Sequence, residues 1–331
     1  MKSEFIGIAI GITQMVAIKM EQTKNGEVVN DSIVVERQGS LFEDCKRLIK
    51  TYSLEGVAMG IVALGERQDK IMILPRLPRI EVAEMLRWTV PEFVTWPEDS
   101  YYYDFVLEDM PPEAVDAAEQ QLLYVVALQK QHITDLATGA LKGGGNLKII
   151  DAAPAPLTRR FVEKNGAVIG IVSENAIEFT GWYNGLCMST YLVSLDMQAI
   201  ISALDEMEVD FYSYGIQGIA GVQIYEDDYK PMKIETTVDY PELNRGMTNS
   251  SRLELGEINP MEKEMAAREE TVEPLQWELI YEKYGRLTPI PFEEDLMLNT
   301  VASKQTRAIA KPVLWDMALG LAYRGGIGAK R

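Results

Sequence analysis

Apolar and polar positions along the first sixty-four residues predict several strands and one helix. Residues 5–11 and 15–20 are two apolar runs separated by a polar break, and this predicts a strand, a turn and a returning strand. A third strand is predicted over residues 32–36. Apolar residues spaced by three and four predict a helix over 41–52, and the apolar run 56–64 predicts a buried strand. This order predicts an α/β domain.

Prolines and aromatic residues concentrate after residue 74, and this change predicts a small inserted subdomain at about 74–138. A helix is predicted over 81–90, with Pro91 near its end, where proline is tolerated. Strands are predicted over 101–107 and 121–128. We expect most of the aromatic cluster in this segment to lie in a core and a subset to be exposed. Its members are Trp88, Phe93, Trp96, Tyr101, Tyr102 and Tyr103.

The α/β pattern resumes after the glycines at 143–145. It predicts a strand over 146–151, a helix over 155–164, and a strand, a turn and a strand over 167–182. A helix within 191–207, a strand with a glycine-containing loop within 211–226 and a closing helix over 311–323 follow. Residues 226–275 are acidic and contain clusters of proline, asparagine and serine, so we expect long loops there.

The first hairpin has a counterpart about 160 residues later. The segment IGIAIGITQMVAIKM can be laid over the segment around Gly170 without a gap, so that Ala9 faces Gly170 and Thr13 faces Glu174. Each segment is an apolar strand, a short polar turn and a returning strand. The repetition suggests two related α/β halves that face one cleft.

The bulk composition limits the possible classes of protein. A chain of 331 residues is long enough for two domains, and 47% hydrophobic with 25% charged residues is ordinary for a globular protein. No run of about eighteen apolar residues occurs, so we expect no membrane insertion. The first residues do not have the pattern of a signal peptide, and a cytoplasmic location is expected.

Few residues could bind a metal through nitrogen or sulfur. Cys45 and Cys187 are far apart in the sequence and are predicted to be buried free thiols. His132 is the only histidine, and a structural or surface role is expected for it. The sequence therefore predicts no metal site of this kind.

The net charge of −18 limits the possible partners. Nucleic acid and bare anionic lipid are expected to be repelled, because both are bound through clusters of lysine and arginine. Any membrane association is therefore expected to pass through a protein partner.

Six segments in the same order carry a resemblance to a known family. They are IGIAIGIT, LPRLPRIEVAEMLRW, WPEDSYYYDFVL, LLYVVALQKQHI, KGGGNLKIIDAAPAPLTRRF and LWDMALGLAYRG. With these segments the chain resembles the PilM family, the actin-like cytoplasmic proteins of type IV pilus assembly, and its MshI and GspL-type secretion relatives.

The resemblance implies an α/β, actin-like (ribonuclease H-like) duplicated two-domain fold with a small α+β insert. The first domain would span 1–165 and contain the insert, and the second would span 166–310. The closing helix, within 311–331, would pack back on the first domain.

The resemblance also implies a degenerate nucleotide site. In active actin-like ATPases the first aspartate of each phosphate hairpin faces the metal, whereas Ala9 and Gly170 hold those positions here. We expect no cofactor and no ATP hydrolysis, because Mg²⁺ prefers carboxylate and water oxygens. ATP binding through backbone donors stays an alternative. The implied site consists of Ala9, Gly11, Thr13, Gly170, Ser173, Gly215 and Gly218. Without the resemblance, Gly7, Gly11 and Gly170 would be assigned to packing or turns.

The function implied by the resemblance is that of a scaffold. It would dock the N-terminal cytosolic tail of a single-span inner-membrane pilus or secretion protein, in a groove between the first domain and the insert. The residues expected in that groove are Val82, Met85, Trp88 and Phe93. The alternatives are an active Mg·ATP-dependent ATPase or sugar kinase of the same superfold, and an FtsA-like filament-forming protein.

Overall fold

A computed structural model describes residues 4–23, 26–173, 175–226, 275–290 and 301–328. The first half of the chain starts with three antiparallel strands, a helix and a parallel strand, as the sequence predicts. These elements are β1 (Glu4–Ile10), β2 (Gln14–Thr23), β3 (Gly26–Glu36), α1 (Leu41–Thr51) and β4 (Ala58–Ala63). Ser40 caps α1, because its side chain accepts a hydrogen bond from the backbone N–H of Glu43.

The insert and the return to the first sheet follow. Their elements are β5 (Arg67–Pro75), α2 (Arg79–Phe93), β6 (Tyr101–Asp109), β7 (Gln120–Gln129), α3 (Lys130–Gly143) and β8 (Asn146–Ala152). Strands β5, β7 and β6 form an antiparallel sheet in that order, and α2 covers one face of it. Strand β8 joins the first sheet, whose order is β3-β2-β1-β4-β8.

The sheet of the insert begins earlier than position 74. Strand β5, which the sequence interpretation did not include, starts at Arg67, and α3 packs against α1 of the first half. The part of the insert that forms its own sheet is therefore 67–129, compared with the predicted bounds of about 74–138.

The second half repeats the first. After a short 3-10 helix (Ala155–Arg160) its elements are β9 (Asn165–Val172), β10 (Ala176–Tyr183), β11 (Leu186–Ser194), α4 (Met197–Ser213) and β12 (Gly221–Tyr225). The sheet order β11-β10-β9-β12 matches β3-β2-β1-β4. In both sheets the first strand is antiparallel to the second and parallel to the strand that follows the helix. The duplication suggested by the sequence is therefore present.

Three helices close the described chain: α5 (Trp277–Tyr284), α6 (Val301–Ile309) and α7 (Pro312–Gly328). Helices α1 and α3 cover one face of the first sheet, and α7 covers the other. The approach of α7 is close, because a β-carbon at Gly7 in β1 would overlap the carbonyl oxygen of Ala318. None of the helices in these ranges is both long and apolar enough to span a bilayer.

The helix predicted over 155–164 is shorter than expected. It ends at Arg160 as a 3-10 helix, and the chain continues in extended form. The backbone N–H of Val162 donates to the carbonyl of Thr288, and the N–H of Ile290 donates to that of Arg160. These bonds to a distant segment replace the ones that would continue the helix. The loops predicted over 226–275 lie almost wholly outside the described residues.

A buried group of charges joins the insert to the second half. Arg67 Nη2 lies 2.9 Å from Glu178 Oε1 of β10, and Arg67 Nε lies 3.3 Å from Asp69 Oδ2. The hydroxyl of Tyr124 donates to the same oxygen of Asp69 at 2.8 Å. The ion pair therefore connects β5 and β7 of the insert to the second sheet.

Candidate functional site

The first candidate site is the turn between β1 and β2. The backbone N–H of Gly11 donates to the carbonyl of Gln14 at 2.9 Å and closes the turn. Arg37 Nη1 donates to the carbonyl of Gly11 at 2.9 Å, and the backbone N–H of Arg37 donates to that of Thr13 at 2.8 Å. The carbonyls of this turn are therefore held by Arg37.

Asp44 fixes the guanidinium of Arg37. The carboxylate of Asp44 is buried, accepts from Arg37 Nε at 3.0 Å and from Arg47 Nη2 at 3.0 Å, and accepts from the backbone N–H of Gln38 at 3.1 Å. Burial alone would raise the pKa of Asp44, but these hydrogen bonds outweigh it and hold the pKa below its ordinary value. Asp44 therefore stays ionised and keeps Arg37 against the turn.

The junction between α6 and α7 covers the same turn. Lys311 Nζ donates to Thr13 Oγ1 at 2.9 Å, and the backbone N–H of Lys311 donates to Gln14 Oε1 at 2.9 Å. Leu314 lies on Gly11, because a β-carbon there would come within 2.8 Å of Leu314 Cδ1. The polar side chains and the glycine of the turn thus contact the α6–α7 junction.

The second hairpin has its own turn between β9 and β10. The backbone N–H of Ser173 donates to the carbonyl of Ala176 at 2.7 Å, and Ser173 Oγ donates to the same carbonyl at 2.8 Å. The hydroxyl of Ser173 therefore closes its own turn. Glu174 lies outside the described residues.

The hydrogen bonds of the two hairpins correct the predicted alignment by one residue. Gly11 bonds to Gln14 as Ser173 bonds to Ala176, so the residue equivalent to Ala9 is Ile171. Gly170 pairs with Phe179, and a β-carbon at Gly170 would meet the Phe179 ring at 2.7 Å. This is the face that α4 covers, so Gly170 points away from the other half.

Gly215 and Gly218 lie at the opposite end of the second sheet from Ser173. The carbonyl of Gly218 contacts Gly166 at the start of β9, whereas Ser173 follows the end of that strand. A strand of eight residues spans roughly 25 Å. Gly215 has a φ of +80°, and a β-carbon there would lie 2.6 Å from the backbone nitrogen of Ala114. The structure does not bring these glycines to the two hairpin turns.

The comparison with known proteins rests on the fold. No family profile and no curated protein matches the sequence. A chain of the PilM-PilN type IV pilus biogenesis complex superposes on 97% of this chain and 98% of its own length, with a TM-score of 0.58 and 13% sequence identity. The chain has the actin-like fold. The predicted fold class is confirmed.

Two further solved structures are similar with lower scores. One is the cytoplasmic domain of EpsL, an inner membrane component of the type II secretion system of Vibrio cholerae, with 11% identity over 71% of this chain and 87% of that chain and a TM-score of 0.42. The other is a protein of unknown function with an actin-like ATPase fold from Bacteroides thetaiotaomicron, with 11% identity over 70% of this chain and 84% of that chain and a TM-score of 0.36.

The two aspartate positions of the actin-like hairpins hold apolar, buried residues. They are Ala9 and Ile171, and neither has an oxygen that could bind a hydrated Mg²⁺. Asp151, near the end of β8 in the first sheet, does carry a carboxylate. Its Oδ2, however, accepts hydrogen bonds from Arg159 at 2.7 Å and from Arg324 at 2.8 Å. Across the described ranges, no group of three His, Cys, Asp or Glu side chains could hold a metal. The residues at the two hairpins therefore do not fit Mg·ATP.

The second candidate site is the outer surface of α2. Val82 is fully buried in the core of the insert, with Leu86 and Val90, and has no surface to offer a partner. Met85 and Phe93 are half-buried against the same core. Trp88, by contrast, is 81% exposed. Of the four residues predicted to bind a partner, Trp88 presents most of its side chain to solvent.

Ile80 joins Trp88 on the outside of α2. It is 71% exposed and lies eight residues before Trp88, so the two are on one side of the helix. The sequence interpretation did not include Ile80, although its place outside the Val82–Leu86–Val90 spacing could have indicated it. The expectation that most of the aromatic cluster is core is wrong, because Trp88, Tyr102 and Tyr103 are exposed.

The cysteines are structural. Cys45 and Cys187 are buried and free, as predicted. Burial raises the pKa of both thiols to about 12, and Asp44 and Asp69 respectively add to the rise. His132 is half-buried, and burial lowers its pKa. His132 is near the start of α3, and its ring lies beside Gly65.

Proposed function

We propose that this protein is a cytoplasmic scaffold of a type IV pilus or type II secretion-like assembly platform. It docks the N-terminal cytosolic tail of a single-span inner-membrane partner, contacts neither nucleic acid nor lipid directly, and does not hydrolyse ATP. The observation that carries the proposal is the exposure of Trp88 on a helix whose opposite face is core.

An exposed tryptophan on an ordered helix is typical of a binding surface. Trp88 and Ile80 leave large apolar areas in water, and their burial against a partner would be favourable. Tryptophan is also the residue type most enriched among those that dominate binding energy. The core contacts of Val82, Leu86 and Val90 hold the helix, so Trp88 is presented on a fixed support.

The charges around Trp88 favour a basic partner. Glu81, Glu84 and Glu92 are exposed on α2, against Arg79 and Arg87. Arg79 is held by the insert itself, because its guanidinium stacks on the ring of Phe105 at 4.2 Å. With a net charge of −18 for the whole chain, a tail that carries lysine or arginine beside apolar residues is complementary to this surface.

The structural neighbour supports a two-protein assembly. The solved chain that covers this one almost completely comes from a complex of PilM with PilN in type IV pilus biogenesis. The absence of hydrolysis is supported by Ala9 and Ile171, which replace the metal-facing aspartates with buried apolar side chains. Leu314 and Lys311 also contact the first turn, where the phosphates would lie.

The test is a binding measurement with the partner's tail. A fluorescein-labelled peptide of the N-terminal cytosolic tail is titrated with the protein and followed by anisotropy. Trp88→Ala is expected to weaken binding about 30-fold, because exposed aromatic anchors contribute ~2 kcal/mol or more. The fold should not change, since Trp88 has little contact with the core.

Leu141→Ala is the matched control. Leu141 is also an exposed apolar residue on a helix, but it lies on α3 outside the insert sheet. Its substitution is expected to leave the affinity unchanged. Equal binding by wild type and Trp88→Ala, or no binding of the tail to the wild type, would refute the docking proposal.

The competing function is an active Mg·ATP-dependent ATPase, favoured by the retention of Gly11 and Thr13 in the first turn. Isothermal titration with ATP, with and without Mg²⁺, separates the two. We expect no magnesium-dependent binding. Tight ATP binding that requires Mg²⁺ would favour the ATPase over the scaffold without hydrolysis.

A further inference from the structure

A groove lies on the other side of the insert sheet from α2. It lies where the loop between β6 and β7 meets the last turn of α4, and it is an open depression with a volume of about 240 Å³. Its apolar wall combines parts of both halves of the molecule: Ile73 of β5, Met110 and Val115 of the loop, and Tyr212 of α4. We call it the α4 groove.

The apolar residues of the α4 groove are unusually exposed. Val115 is 82% exposed, Tyr212 59% and Ile73 43%. Met72 and Leu74 pack with the core under α2, so Ile73 between them must face the opposite side of the sheet. Three of the large exposed apolar side chains thus line one depression, which is a feature of binding surfaces.

The polar rim of the groove is negative. Glu113 and Asp116 line it, and so do the last residues of α4. A helix C-terminus carries a partial negative charge, and the last turn of α4 has no basic residue to balance it. The groove therefore has an apolar floor, a carboxylate rim and a helix end of the same sign.

The loop that forms one side of the groove is well organised. The backbone N–H of Ala114 donates to the carbonyl of Pro111 at 2.9 Å, and that of Glu119 donates to the carbonyl of Asp116 at 2.9 Å. Gly215, which follows α4, packs directly on Ala114. The two walls are thus in contact, so the binding of a partner would require little further ordering of the loop.

We infer that the α4 groove is a second docking site, for a protein segment in which a lysine or arginine stands among apolar residues. The aliphatic stem of such a side chain would lie along Ile73 and Tyr212, and its charged end would reach Glu113 and Asp116. Lysine and arginine commonly bury their stems on apolar surface while the charge stays at a polar rim. The occupant is therefore a basic, apolar peptide of a partner protein.

The inference goes beyond the proposed function, because the groove and Trp88 lie on opposite faces of the insert sheet. Two partners could bind at the same time. Failure of one proposal leaves the other standing, since the substitutions that test them are separate.

The experiment uses the full chain and two labelled pentapeptides. One is acetyl-Leu-Lys-Leu-Arg-Leu and the other is acetyl-Leu-Gln-Leu-Gln-Leu, both followed by fluorescence anisotropy at low salt. All proteins in this experiment carry Trp88→Ala, so that the surface around Trp88 does not contribute to the binding of a basic apolar peptide. The basic peptide is expected to bind, and adding Glu113→Gln/Asp116→Asn is expected to weaken its binding about tenfold. Asparagine suits position 116, where φ is +54°, so the loop is preserved. Val115→Arg places a positive charge at the groove and is expected to abolish binding.

Glu55→Gln/Glu282→Gln is the control for net charge. It removes two exposed carboxylates that do not line the groove, and it should leave the affinity unchanged. Equal weakening by the control pair, equal affinity for the two peptides, or binding that Val115→Arg does not change would each overturn the proposal. It would also be overturned if Val115→Arg converted a dimer to a monomer in sedimentation, because a second copy of the chain would then cover the groove.

Discussion

Gly7 lies where helix α7 crosses strand β1, and its missing side chain decides how close the two come. A β-carbon at this position would overlap the backbone carbonyl of Ala318 and approach the backbone nitrogen of Ala322 to 2.6 Å. Backbone atoms cannot make room by a change of rotamer, as the end of a flexible side chain can. A single methyl group would therefore displace the helix from the sheet.

Gly7→Ala is expected to lower the free energy of unfolding by about 3 kcal/mol, the upper end of the range for overpacked cores. Gly39→Ala is the matched control, because a β-carbon there has its nearest neighbour at 3.6 Å, an ordinary contact. Guanidinium denaturation of the two variants measures the difference. Equal midpoints would contradict the close packing of α7 on β1.

Residue roles at the hairpins could be predicted only in part. The prediction that Ala9 stands where a metal-facing aspartate would be needs only the sequence and the family resemblance. The equivalent position in the second hairpin is not, because two apolar hairpins align equally well in neighbouring registers and only the hydrogen bonds choose between them. The choice of Ile171 over Gly170 therefore required the structure. The role of Gly215 could not be decided from the sequence, because a glycine that permits a turn looks the same in sequence as one in a nucleotide-binding loop.

At the scale of elements, an ion pair of largely buried side chains helps to hold the insert against the second half. The guanidinium of Arg67 in β5 contacts the carboxylate of Glu178 in β10 and also the carboxylate of Asp69. Burial would lower the pKa of Arg67, but the two carboxylates outweigh it and raise the pKa. Removing the guanidinium would leave both carboxylates buried without a counter-charge.

Arg67→Met is expected to cost about 3–5 kcal/mol, the usual loss when one partner of a buried pair is removed. Arg67→Met/Glu178→Met should recover a large part of that loss, because it also removes one of the stranded charges. Chemical denaturation of the wild type, the two single variants and the double variant completes the cycle. Additive losses would mean that the two side chains do not interact.

Most elements could be predicted from the periodicity of apolar residues, and two of the misses have a common cause. The strands of both hairpins and helices α1, α2, α4 and α7 follow from local patterns. Residues 155–164 have the composition of a helix, yet the chain past Arg160 bonds to residues 288 and 290. Strand β5 is recognisable only through its pairing with β7, more than forty residues away. Partners distant in sequence decide these cases, and the sequence pattern does not contain them.

At the scale of the whole molecule, α7 contacts both halves. In the first half, Arg324 of α7 and Arg159 both donate to Asp151 at the end of β8. Toward the second half, Asp316 of α7 accepts from Arg160 Nε at 3.1 Å and from the hydroxyl of Tyr225 of β12 at 2.7 Å. Burial would raise the pKa of Asp151, but the two arginines outweigh it and lower the pKa.

This lowered pKa predicts how stability changes in acid. Because the carboxyl of Asp151 holds its proton less tightly when folded than when unfolded, its contribution is complete above the unfolded value of about 4 and is lost as pH falls through the folded value. The difference in free energy of unfolding between wild type and Asp151→Asn is therefore expected to be largest near neutral pH. It should shrink below about pH 4.

Urea denaturation of both proteins at a series of pH values tests this, since other titrating groups cancel in the difference. A difference that stays constant from neutral to acidic pH would show that the arginines do not act through the charge of Asp151.

The position of α7 in the chain also has a consequence for biosynthesis. The first sheet is complete in sequence at Ala152, but the helix that covers one of its faces begins only at Pro312. At roughly 5–20 residues per second, the ribosome needs about 8–30 s to produce the stretch between them. During that time the face around Gly7 and Ala9 has no helix to cover it. This face of the nascent N-terminal half therefore stays uncovered by α7 until Pro312 and the residues after it have been synthesised.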